Sequence, residues 1–280
     1  MGRFLSYKSW FVAFFLAVLP LRLAAQETPL VVGLLPTLSP RVLITNYQPF
    51  RIYLERQLKR PVEMVTATDF TAFHKSTMAG EYDLVVTAAH LARLAQIEAG
   101  YIPLAAYQSV NQALLVTSKA DPLKSIKDLR GNKIATLDRV ALISLQTKVW
   151  LEKQGLYEDK DYQLLKTSSH NSSVYSVLSG ESKLAIIAPG GYKMLPSTMQ
   201  DSIQTLATLP EVPMVMWVAH PRLLQAVPSL RANLLSFSPD LLEGKQFFDS
   251  TNYQGMRKIT SKEMKSLDPY IPYLKQHLGQ

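Results

Sequence analysis

The sequence predicts an α/β fold in two lobes, each a mostly parallel sheet flanked by helices. Three observations predict it. Short apolar runs alternate with amphipathic segments of helical length along most of the chain, the pattern of repeated strand–helix–strand units. Two such units of about 90 residues follow one another, and a further apolar strand with a helical tail can return to the first. The 280 residues, 47% of them hydrophobic, suffice for one or two packed cores. The resulting division is residues 26–110 with 210–280 as one lobe and 111–209 as the other, preceded by an address segment over 1–25.

That first segment reads as a secretory signal. Arg3 and Lys8 form a basic start, residues 10–21 are apolar, and Leu23-Ala24-Ala25 supplies small residues before Gln26. The apolar run is too short for a spanning helix, which needs roughly 20 residues. Cleavage and a periplasmic location follow as expectations. No cysteine occurs, which excludes a disulfide scaffold, a thiolate metal site, a cysteine nucleophile and a lipid anchor on cysteine.

The elements follow in order. Residues 30–35 are continuously apolar, as in a strand buried on both faces. After the turn-rich 36–40, a helix runs over about 42–58, with Phe50, Tyr53, Leu54 and Leu58 at helical spacing. Residues 62–66 form a second strand, and Asp69 caps a helix that stops at Gly80. A strand over 82–87, a helix over 89–99 closed by Gly100, and a strand over 102–107 complete the first unit. The second unit has strands over 113–117, 133–137, 162–166 and 184–188. Between them lie a helical turn at 125–129 and helices over 142–154 and 171–178. Gly190-Gly191 reads as a tight turn. Residues 213–219 are another apolar strand, and the remainder is helical and amphipathic.

The formal charge is +8, and three of the surplus positive charges lie within residues 1–25. The remaining excess steers anions toward a cleft. The basic residues are scattered and form no stripe, so no nucleic acid is expected as a partner.

Ligands of open α/β sheets bind beyond the carboxyl ends of strands, at helix N-termini. The residues that follow each strand here are Thr37 and Ser39; Thr87, Ala88 and His90; Asp138 and Arg139; Ser169 and His170; and, after Gly190-Gly191, Tyr192. Hydroxyls, imidazoles and one guanidinium collect at that edge, a set that hydrogen-bonds an oxyanion without a covalent step. Taken singly, each Thr or Ser is equally a helix cap, and Arg139 equally a partner of a nearby acid.

Several short stretches also carry a family resemblance. They are Tyr47-Gln48-Pro49-Phe50 with Tyr53-Leu54-Glu55, Arg60-Pro61-Val62, Gly80-Glu81-Tyr82-Asp83-Leu84 and Gly100-Tyr101-Ile102-Pro103-Leu104. Ser125-Ile126-Lys127-Asp128-Leu129-Arg130-Gly131, His170 and Val177-Leu178-Ser179-Gly180 complete them. In this order and spacing, over about residues 30–267, the chain resembles the phosphate/phosphite/phosphonate substrate-binding proteins of ABC transporters. The resemblance implies a type 2 periplasmic-binding fold with a two-strand hinge, and implies that Tyr47, the Thr87-Ala88 turn with His90, and the Ser169-His170 turn face the cleft. One stretch departs from the family. Where phosphonate binders carry Ser-Thr-Ser-Gly, this chain has Ala141-Leu142-Ile143-Ser144. Either Arg139 replaces the lost donors, or the ligand is more apolar.

The expected function is therefore a periplasmic solute-binding protein that captures a small anionic or polar ligand, of the phosphonate-like oxyanion class, for a membrane permease. A ligand-sensing subunit of a sensor kinase is the alternative. An enzyme on the same fold is a third reading. Against it, the sequence shows no Gly-x-Ser-x-Gly elbow, no metal-spaced His/Glu set and no Gly-rich phosphate loop. No cofactor or metal is expected. The hinge is expected near 107–114 and 208–213.

Overall fold

The structure, a computed structural model, describes residues 28–278; the signal segment expected over 1–25 lies outside them. The first sheet takes β1 (Leu30–Leu34), β2 (Val62–Thr66), β3 (Leu84–Ala88) and β4 (Ile102–Tyr107) from the early chain. The crossing strands β5 (Val110–Asn111) and β6 (Leu114–Ser118) lead to the second sheet. That sheet adds β7 (Asn132–Thr136), β8 (Tyr162–Lys166), β9 (Leu184–Ile187) and β10 (Ile203–Thr208). The chain returns through β11 (Val212–Pro213) to β12 (Val215–Ala219) and later β13 (Met256–Arg257). The spatial orders are β13-β4-β12-β3-β1-β2 and β10-β6-β9-β7-β8, with β5 and β11 paired between them.

In each sheet most strands point one way, as expected, and reversed strands make both sheets mixed. In the first, β1 pairs in parallel with β2 and β3, whereas β12 runs antiparallel to both β3 and β4. In the second, β7 pairs in parallel with β8 and β9, whereas β6 runs antiparallel to β9. β12 and β6 are each the strand that follows a crossing between the sheets; β13 is also reversed, against β4. The expected hinge regions contain the antiparallel pair of β5 with β11, in which Asn111 faces Val212.

Helices cover both faces of each sheet because strand residues alternate sides. In the first sheet Val32, Leu34, Leu84, Val86 and Trp217 face α1 (Pro40–Leu58), α8 (Val227–Ser236) and α9 (Leu242–Thr251). An aromatic cluster fills that layer, with Phe50 stacked on Trp217 at 4.7 Å and tilted on Phe237 at 4.1 Å. On the other face, Val85, Ala106, Met216 and Val218 meet α2 (Phe70–Met78), α3 (Ala89–Ala99), α10 (Ser261–Lys265) and α11 (Ile271–Leu278). Gly33 in β1 is required by this second layer, because a Cβ there would stand 2.5 Å from the Tyr82 ring. In the second sheet Leu115, Ile134 and Ile186 face α4 (Leu142–Lys153). Val116, Ala135 and Ile187 face α5 (His170–Leu178).

Local signals explain most boundaries. Asp69 caps α2, accepting from the Ala72 N–H at 2.8 Å, and Gly100 ends α3 in the left-handed region at φ 69°. The sequence reading passed over β10, an edge strand whose half-exposed Gln204-Thr205-Leu206 pattern offers no continuous apolar run. It also gave Gly190-Gly191 as a turn. The two glycines instead sit inside the short helix α6 (Pro189–Lys193), which α7 (Ser197–Ser202) follows. Gly191 is needed there because the His170 ring occupies the space of a side chain: a Cβ would lie 2.1 Å from its Cδ2.

Candidate functional site

The carboxyl ends of β1, β3 and β7 converge on a cavity of about 170 Å³ between the two sheets. The first lobe contributes Leu35, Thr37, Phe70, Ala88, His90 and Leu91; the second contributes Val140, Ala141 and Leu142. Asn111, Met214 and Val215 come from the crossing strands, and Leu274 and Leu278 from α11. No Asp, Glu, Lys or Arg side chain lines it.

Two helices start at this cavity. α3 is capped by Ala88 and α4 by Ala141, and neither cap offers a side-chain hydrogen bond. Their first-turn N–H groups and the positive ends of their dipoles are therefore supplied by backbone alone. The replacement of Ser-Thr-Ser-Gly by Ala141-Leu142-Ile143-Ser144 is explained at the same place. Leu142 is buried in the apolar layer of the first lobe. The surviving hydroxyl of Ser144 is turned inward to Thr136 Oγ1 at 2.6 Å.

His90 joins the lobes. Its ring is buried, 4% exposed, and Nε2 lies 3.1 Å from the Val140 carbonyl across the cleft. The carbonyl only accepts, so Nε2 carries the proton and donates. Burial pushes the His90 pKa down to about 4, only partly countered by that hydrogen bond, so the imidazole is neutral at pH 7. Nδ1 is buried without a partner, and so is the hydroxyl of Thr87, three residues earlier on β3. Each unpaired buried polar atom costs about 1–3 kcal/mol. His90 lines the cavity and Thr87 lies behind it, so both unpaired atoms are buried beside the site.

The remaining residues singled out from sequence are placed as follows. Thr37 is exposed on the cavity rim, and Ser39 is the exposed N-terminal cap residue of α1, with no side-chain cap bond. Tyr47 is not in the cavity. It is 3% exposed in the aromatic layer, edge-on to Phe247, with its hydroxyl 3.4 Å from that of Tyr107. Arg139 is half-exposed and turned away, its Nη2 3.5 Å from Glu158 Oε1. Ser169, His170 and Tyr192 form a separate group beyond β8 and β9. Ser169 caps α5 by accepting from Ser172 N–H at 3.1 Å. His170 packs on Gly191, with Nδ1 buried and unpartnered and its pKa lowered by burial. Tyr192 is half-buried against the α5 face of the second sheet. The structure thus brings Thr37, Ala88 and His90 together, with Thr87 behind them. Sequence reasoning placed Ala141 and Leu142 in the stretch that replaces the family's Ser-Thr-Ser-Gly run. Among the residues it missed are Leu35, Phe70, Leu91, Val140, Leu274 and Leu278, whose apolar character disguised them as core.

A profile of the family described as ABC transporter, phosphonate, periplasmic substrate-binding protein matches residues 32–264. The chain belongs to that family. Family members are solute-binding transport components, which bind rather than transform their ligand and work with a membrane permease. The match does not favour a sensor-kinase subunit. The family is periplasmic, and among the described residues no helix is long and apolar enough to cross a membrane. Solved structures show the same two-lobed fold. XAC2383 from Xanthomonas citri, bound to chloride ion, superimposes with a TM-score of 0.77 at 17% identity, over 89% of this chain and 99% of that one. PhnD1 from Prochlorococcus marinus, in complex with methylphosphonate, gives 0.68 at 19% identity over 89% and 98%. A binding-protein component of an ABC phosphonate transporter from Pseudomonas aeruginosa gives 0.62 at 14% over 90% and 98%.

Proposed function

We propose that the protein captures a small solute of the phosphonate-like oxyanion class carrying an organic substituent, and closes its lobes around it. The polar head sits at the uncapped starts of α3 and α4, near His90, Thr87 and Thr37. The substituent fills the apolar space between Leu35, Leu91, Val140 and Leu142. The observation that carries this reading is the cavity wall, which has two helix starts and no charged side chain. Helix N-termini hold anions through backbone N–H groups. An apolar cavity of ~150 Å³ accommodates benzene, so a substituent of about six carbons fits this one. The methylphosphonate complex of the Prochlorococcus relative supports the class of the head group.

In this reading residues 26–110 with 210–280 and residues 111–209 are the two moving lobes, and the β5–β11 pair is the hinge. The mature chain starts at Gln26, which N-terminal sequencing of the periplasmic form checks.

Thermal unfolding of residues 26–280 with phosphate, phosphite, methylphosphonate, propylphosphonate and phenylphosphonate tests the ligand class. A ligand at 100 times its Kd adds about 2.7 kcal/mol. Propyl- and phenylphosphonate are expected to stabilise more than inorganic phosphate at equal concentration. Equal stabilisation by phosphate, or none by any of the series, overturns the proposal.

A further inference from the structure

We infer that the C-terminal helix α11 is the specificity wall of this cavity and the strap that holds it shut. The inference rests on the ligand site proposed above and adds which residues set the accepted size.

α11 is anchored on the first lobe. Arg93 of α3 grips Asp268 through two bonds, Nε–Oδ1 at 2.6 Å and Nη2–Oδ2 at 3.2 Å, just before the helix begins. Lys275 pairs with Glu98, also on α3. Ile271 and Leu274, 7% and 1% exposed, sink into the apolar layer shared with Leu91 and Leu94. Leu274 and Leu278 are one turn apart on a single stripe, and both face the cavity.

The neighbouring stripe reaches the other lobe. Tyr273 donates its hydroxyl hydrogen bond to Glu152 of α4. Lys148, one turn earlier on α4, sits 5.0 Å from the centre of the Tyr273 ring and holds Glu158 at 2.7 Å. Lys148 and Glu152, four residues apart, thus present one side of α4 to Tyr273 of the C-terminal helix. Gln146 of α4 donates its amide to the Pro210 carbonyl at 2.9 Å. α4 is also the helix whose start forms the cavity.

One helix therefore rides with the first lobe, lines the cavity with two leucines and bolts onto the second lobe through tyrosine. Opening the cleft must break the Tyr273–Glu152 bond along with His90–Val140. The bulk of Leu274 and Leu278 limits how far a ligand's apolar end extends toward the chain terminus.

Two measurements on residues 26–280 separate the parts. Benzene and xenon probe the apolar cavity without reference to the natural solute, and methyl NMR shifts of Leu91 and Leu142 report their uptake. Wild type is expected to take up both. Leu278→Trp, at a half-buried position that tolerates bulk, is expected to exclude benzene, and Leu278→Ala to admit toluene and longer alkylbenzenes. Benzene uptake by Leu278→Trp equal to wild type overturns the wall. Absence of uptake by wild type instead removes the ligand site itself. The strap is read independently by small-angle scattering. Tyr273→Phe and Glu152→Gln are each expected to enlarge the radius of gyration of the unliganded protein. An unchanged radius in both, with folding confirmed by circular dichroism, overturns the strap.

Discussion

Acidification should open the cleft through His90. The ring is buried beside the cleft, and burial holds it neutral by pushing its pKa down to about 4. When the lobes part, the imidazole meets solvent and its pKa returns toward the ordinary 6.5. The closed form therefore binds fewer protons than the open one. A depressed pKa contributes stability that is complete above pH 6.5 and is lost as pH falls toward 4. Those two values give a loss of about 2 kcal/mol between pH 7 and pH 5, a ~20-fold shift toward the open form, and about 3 kcal/mol below pH 4. Small-angle scattering across pH 7 to 4.5 measures it as a growing radius of gyration. His170 and His277 are also shifted down by burial, so the control is His90→Gln, which keeps a donor for the Val140 carbonyl and does not titrate. The wild-type profile should be steeper than that of the variant. Superimposable profiles refute the assignment of His90 as the buried, lobe-bridging imidazole.

Three further outcomes are expected. Gly191→Ala should destabilise by about 1–3 kcal/mol, because the new Cβ would stand 2.1 Å from His170 Cδ2. Thermal unfolding measures this, and in the His170→Ala background most of the cost should vanish. Tyr107→Phe should cost about 1–3 kcal/mol in denaturant titration, since the buried Trp217 Nε1–H that donates to the Tyr107 hydroxyl at 3.2 Å loses its acceptor. Ala141→Ser should stabilise α4 by about 1 kcal/mol as an N-cap and tighten methylphosphonate binding in calorimetry. A stabilised variant with unchanged methylphosphonate affinity would move the polar head away from the α4 start.

Much of the framework was readable from local pattern. The apolar runs at 30–35 and 102–107 mark strands within a residue of their observed ends, because no polar position interrupts their interior; 62–66 is legible instead by alternation, with Val62 and Met64 buried and Glu63 exposed on an edge strand. Asp69 and Gly100 announced helix ends by chemistry that acts within one turn. β10 was missed because an edge strand needs only one buried partner, β6, and tolerates Gln204 and Thr205 facing solvent. The edge of the sheets where the site lies was also legible, since it follows from strand direction alone. Its chemistry was not. Choosing polar residues after each strand picked Thr37 and His90, which line the cavity, and Thr87 behind it, yet passed over Val140, Leu274 and Leu278, whose apolar side chains read as ordinary core.

The alternation of strands and helices, the two-lobed architecture and the family rest on local periodicity and on the order of short motifs, and so are written in the chain. What each candidate side chain faces is settled by packing. Arg139 meets Glu158 nineteen residues away, Tyr47 meets Tyr107 inside an aromatic layer, and His90 meets a carbonyl of the other lobe. Leu274 and Leu278 reach the cavity from the far end of the chain. Such pairings depend on which surfaces two folded sheets press together, and the spacing of residues along the chain carries no record of that.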